Sequence, residues 1–181
     1  RGPSPNTNLY GGELALLDVD HMHEYLGAMH AYVQSAFGID GANNQGGTSF
    51  GSPSQTIVNA HYQGSICPNG AQYNTGTGEL NFCSGMSTLD CVGHEYTHAI
   101  HNWAARARSV TLTYAYQSGA WMEGHSDFMG EVFENYYTST TDWKSGTGST
   151  WTVLYNLVWP SDAGYTTTPG GPVIPYPRTW Y

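Results

Sequence analysis

Two histidines four residues apart, His94 and His98, with Glu95 beside the first, constrain this 181-residue chain more than any other feature. Four residues advance about 40° around an α-helix, so a helix brings both imidazoles to one face. The surrounding apolar residues fall at helical steps: Leu89, Val92, Tyr96, Ala99, Ile100 and Trp103, after Ser87 or Thr88 as N-cap. Asp90 suits the positive end of that helix, and Arg106 and Arg108 its negative end. Glu95 lies about 100° around from His94, next to whatever the rings hold. On a helix this spacing lets two rings grip a zinc ion while the glutamate acts on a water.

Catalytic zinc takes three protein ligands and keeps one position open. A later helix, expected from near Ser118 to about Tyr137, offers the third. Its acids Glu123, Asp127, Glu131 and Glu134 fall at about 0°, 40°, 80° and 20°, one narrow stripe. A solvated acidic face is the plain reading. Against it, stacked carboxylates repel one another, and only 10 % of the chain is charged, so neutralisation by cations is expected. Trp121, Phe128, Met129, Val132 and Phe133 are expected to be the buried residues of this helix. A histidine six residues after His98 would be a rival ligand, but Ala104 stands there. His101 shares the ligand face and is expected to pack or hydrogen-bond nearby.

The remaining chain frames these helices. Val19, Met22, Leu26, Met29, Val33 and Phe37 predict an amphipathic helix from Asp18 to Phe37, stopped by Gly38. Residues 40–55 read as loop, and Thr56–Tyr62 and Leu80–Cys83 as short strands around a turn-rich stretch at 68–78. A disulfide between Cys67 and Cys83 would close a modest loop there. Cys91 reads as a buried thiol, and the odd count of three leaves the pairing open. Lys and Arg total 5 against 14 Asp and Glu, a net charge of −9 that repels phosphate backbones and argues against nucleic acid. The longest aliphatic run, Leu14–Leu17, is too short for a membrane span. The opening at Arg1 reads as an extended arm and as the processed start of an exported protein.

On residues 90–99 (DCVGHEYTHA) and 118–130 (SGAWMEGHSDFMG), the chain resembles the thermolysin family of zinc metalloproteases, in its pseudolysin-like branch. The resemblance runs from about Asp18 to Trp143. It implies an α+β fold: a strand-rich N-terminal lobe over 1–108 ending in the zinc helix, then the start of a mainly helical C-terminal lobe over 109–181. It implies His94, His98 and Glu123 as ligands of one zinc, Glu95 as general base and Asp127 as the carboxylate that orients a ligand histidine. Tyr114 matches the tyrosine that donates to the tetrahedral oxyanion, and Asn69 and Ala71 the pair that binds substrate backbone. One structural calcium would be held by Asp90, Glu131, Glu134 and Asp142 with the backbone carbonyl of Lys144. Lys144 and Thr147 stand where the acids of a second calcium would be.

The chain departs from the pattern in places. Met122 replaces an asparagine before the glutamate ligand, and about five extra residues separate His98 from Glu123. The family's second oxyanion donor, a histidine, comes from a later portion of roughly a hundred residues, and no histidine follows His125. That portion could be a separate partner chain. The expected activity is secreted, extracellular metalloendopeptidase action on peptide or protein substrates. Two readings compete with it: a non-catalytic binding domain stabilised by zinc and calcium, and a calcium-clamped module whose histidines only pack.

Overall fold

The computed structural model describes residues 13–68, 70–140 and 143–145, the pairs 155–156, 164–165 and 174–175, and the side chains of 18–68, 70–140 and 143–144. Helix α1 (Glu13–Phe37) leads into a long loop, then strands β1 (Val58–Ala60), β2 (Ala71–Tyr73) and β3 (Leu80–Phe82). Helices α2 (Leu89–Ala107) and α3 (Tyr116–Thr138) follow. The two-residue strands β4 (Lys144–Ser145), β5 (Tyr155–Asn156), β6 (Gly164–Tyr165) and β7 (Ile174–Pro175) pair as β4–β5 and β6–β7. The fold is α+β, as expected.

The main sheet has the order β1-β3-β2. Central β3 runs parallel to β1, pairing Val58 with Leu80, and antiparallel to β2, pairing Ala71 with Phe82. All three residues of β3 are buried, as a central strand covered on both faces must be. β2 arises inside the stretch that reads as turns, and only its central Gln72 is exposed. The Cys67–Cys83 disulfide, with Cα atoms 5.6 Å apart, ties the segment before β2 to the end of β3. Cys91 is a buried free thiol.

Met22, Met29 and Val33 of α1, Leu80 and Phe82 of β3, Val92 and Tyr96 of α2, and Phe133 of α3 share one core. Asp18 anchors α1 to the loop before α2: its carboxylate accepts bonds from the Gly85 N–H (2.9 Å) and the Ser87 hydroxyl. Trp103 donates its indole N–H to the Thr48 carbonyl (2.9 Å), holding the 40–55 loop on α2.

Helices α2 and α3 meet through glycine. A Cβ on Gly130 would lie 2.5 Å from the Asp90 carbonyl oxygen, and one on Gly93 would lie 2.9 Å from the Gly130 Cα. Only bare backbone permits that approach. Going outward from this contact, His94 meets Asp127, His98 meets Glu123 and His101 meets His125, so the helices run antiparallel.

Several expectations need correction. α1 starts at Glu13 rather than Asp18, and Phe37 is 53 % exposed because it caps the helix end beyond the core. Trp121 and Phe128 are 56 % and 48 % exposed, not buried. They fall at about 160° and 140° from Glu123, and the buried face of α3 is the glycine and acidic side turned to α2. The arm before α1 and most of the apolar segment at 153–159 and of the proline-rich tail lie outside the described residues.

Candidate active site

One face of α2 carries His94 and His98, and their Nε2 atoms stand 3.0 Å apart. Glu123 of α3 closes the triangle: its Oε2 is 3.4 Å from His94 Nε2, and its Oε1 is 3.2 Å from His98 Nε2. Among the described residues, this is the one group of three potential ligands whose donor atoms all lie within 4.8 Å of one another. Asp127, one turn along α3 from Glu123, accepts from His94 Nδ1 at 2.8 Å. That bond fixes the ring and its tautomer, leaving Nε2 to face the cluster.

The charges respond to this crowding. Burial alone would keep His94 neutral, but hydrogen bonds to Asp127 and Glu123, with the charge of Glu95, push it up to about 10. Partial burial works against the ionised Glu123 carboxyl, yet bonds from His94, His98 and Tyr114 outweigh it and hold that group well below the usual carboxylate range. The cluster therefore attracts positive charge at its centre. Two imidazoles and one carboxylate make a donor set suited to catalytic zinc, which would take the place of a proton there. The residues present fit the ion.

Glu95 is buried at the base of the same cleft, where its Oε2 accepts the Tyr73 backbone N–H at 2.7 Å. Nothing in the spacing of side chains points to this anchor, because it is a main-chain group of strand β2. Tyr114 donates its hydroxyl to Glu123 Oε1, although its side chain is 69 % exposed. Its phenol is pushed up by burial of its tip and by the Glu123 bond, so it stays a donor. The cleft holds about 590 Å³ between β2 and the two helices, with Ala71 on one wall and Ile66, Met86, Leu112 and Met122 supplying apolar lining. His101 lines it too, and burial together with the neighbouring imidazoles pushes its ring down to about 4.

The other expected ligands are less gathered. Asp90 and Glu131 are buried on facing helices and Glu134 is half-buried, but no three of these acids form a ligand group among the described residues. Asp90 Oδ1 accepts the Thr88 hydroxyl (2.5 Å) and the Cys91 N–H (2.8 Å). Lys144 opens strand β4, while Asp142 and Asn69 lie outside the described residues.

Residues 4–102 match the family model of the thermolysin metallopeptidase catalytic domain. The chain is 31 % identical over 127 residues to a bacillolysin of Bacillus cereus, covering 68 % of this chain and 20 % of that protein. It is 31 % identical over 131 residues to a thermolysin of Bacillus caldolyticus, covering 68 % and 21 %. The chain thus spans about a fifth of the length of these curated relatives. Its fold resembles that of the precursor of protealysin, a metalloproteinase from Serratia proteamaculans, with a TM-score of 0.68 at 22 % identity, over 94 % of this chain and 50 % of that one. None of these similarities supports a separate chain as the source of further family residues. The matched residues include His94, Glu95 and His98, and the chain belongs to the thermolysin metallopeptidase family.

Proposed function

We propose that the chain acts as a secreted zinc metalloendopeptidase. The observation that carries this reading is the His94–His98–Glu123 cluster sharing one cleft with an anchored, buried Glu95. Zinc held by those three residues would polarise a peptide carbonyl and ease deprotonation of a water. Glu95, fixed through Oε2, has Oε1 available to take that water's proton and return it to the leaving amine. Tyr114 is exposed enough to turn its hydroxyl from Glu123 to a developing oxyanion. Ala71 lies on β2, an edge strand of the main sheet, where a substrate backbone can add as a further strand, and Asn69 is assigned to the same substrate-binding pair.

Asp90, Glu131, Glu134 and Asp142, with the Lys144 carbonyl, are proposed to hold one calcium. The placement of Asp90 and Glu131 on the facing helices α2 and α3 supports this, since carboxylate oxygens are the ligands that calcium prefers. Secretion is supported by the Cys67–Cys83 disulfide, which persists in oxidising compartments.

The test is metal analysis of the purified chain beside casein cleavage, with and without 1,10-phenanthroline, for the wild type and Glu95→Gln. The expected result is one zinc per chain and chelator-sensitive cleavage, with Glu95→Gln keeping zinc and losing at least about 10²-fold in rate. Zinc without any cleavage would favour the non-catalytic binding domain. Full turnover by Glu95→Gln would remove the role given to that residue.

A further inference from the structure

One turn beyond the zinc ligands, α2 and α3 bring together two more imidazoles that the proposed hydrolysis does not use. His101 Nε2 and His125 Nδ1 are 2.8 Å apart, with ring centroids at 4.9 Å and planes tilted by 37°. His101 is only 7 % exposed, and its Nδ1 is buried with no hydrogen-bond partner among the described residues. Trp121 lies flat on His125 (5.2 Å, 8°) and tilted over His101 (4.8 Å), limiting how far either ring can swing. His94 has Asp127 to set its tautomer, but among the described residues the His101–His125 pair has no carboxylate hydrogen-bond partner. In this contact one of the two facing nitrogens donates and the other accepts.

We propose that His101 and His125 form a second, separate metal site, preferring a nitrogen-seeking cation such as Cu²⁺, that staples α2 to α3. A cation bonded at about 2.0 Å to each nitrogen spans a separation of roughly 3 Å, close to that of this pair. The observed separation leaves both nitrogens within reach of one such cation once the proton between them is displaced. A donor set of imidazoles alone disfavours calcium and magnesium, and copper heads the divalent series for nitrogen ligands. His125 is half-buried, so the cation enters from its side and keeps waters in its remaining positions. No ligand is shared with the His94–His98–Glu123 cluster, so both sites can fill at once.

The probe is CuCl₂ titrated into the zinc-loaded chain, followed by desalting, counting of both metals and tryptophan fluorescence. Wild type is expected to retain one Cu²⁺ more than His125→Ala under the same conditions, with no extra loss of zinc. Its fluorescence should be quenched, and its thermal midpoint should rise on adding copper. His125→Gln, which keeps the side-chain bulk, should also lose that equivalent. Trp121→Phe should keep the copper and lose most of the quench. Equal copper uptake by wild type and both His125 variants would overturn the proposal and leave an ordinary imidazole–imidazole hydrogen bond. Copper uptake matched one for one by zinc release would overturn it as well.

Discussion

The cleft is built from two unlike walls, and each holds its functional groups differently. On the α2–α3 seam the working atoms belong to side chains at helical spacing: His94, His98, Glu123 and Asp127. On the β2 wall the bond that orients Glu95 comes from the backbone N–H of Tyr73. The seam is specified residue by residue, so single substitutions should damage it. The sheet wall depends on strand placement, so it should ignore side-chain changes and respond to whatever fixes the strand.

The sharpest way to break this contrast is to free the strand. Replacing Cys67 and Cys83 by serine opens a loop with a sequence separation of 16, which should lower unfolding free energy by about 3 kcal/mol. Denaturant unfolding would measure it, and an unchanged midpoint would mean that β2 is held by other means. Gly130→Ala attacks the seam directly. With its Cβ 2.5 Å from the Asp90 carbonyl oxygen, the helices must part, at a cost of about 1–3 kcal/mol in thermal unfolding. Asp127→Asn should leave the fold intact and weaken zinc by about 10- to 100-fold in competition with a chelator. The smallest effect is expected from Tyr73→Phe. Its hydroxyl is buried without a hydrogen-bond partner among the described residues and the Glu95 anchor is main chain, so zinc content and cleavage should stay within about twofold of wild type. A large loss there would show that the side chain, not the strand, sets the base.

Legibility in the sequence follows the same division. His94, His98 and the stripe from Glu123 to Glu134 could be read because a helix turns a fixed spacing into a fixed direction, and the structure brings the first two together with Glu123. The Tyr73 N–H could not be read, since a backbone donor has no letter of its own, and β2 lies in a stretch rich in turn residues. Trp121 and Phe128 misled for a physical reason. Apolar residues usually mark the buried face, but here that face holds Gly119, Ser126, Asp127, Gly130 and Glu131 beside Met122, Met129 and Phe133. The apolar excess is left outside. The His101–His125 pairing was half legible: the helix face of His101 followed from spacing, its partner only from the packing of α3.

The close approach of α2 and α3 also bears on how freely such a chain can drift. Gly124 and Gly130 occupy the same helix, yet a Cβ on Gly124 would meet nothing within 4 Å, while one on Gly130 would meet the backbone of Asp90. In a library of random substitutions, position 124, next to the proposed zinc ligand Glu123, should accept many residues. Position 130, two turns away from that ligand, should accept almost none. Proximity to the metal would then be a poor guide to which positions selection holds fixed.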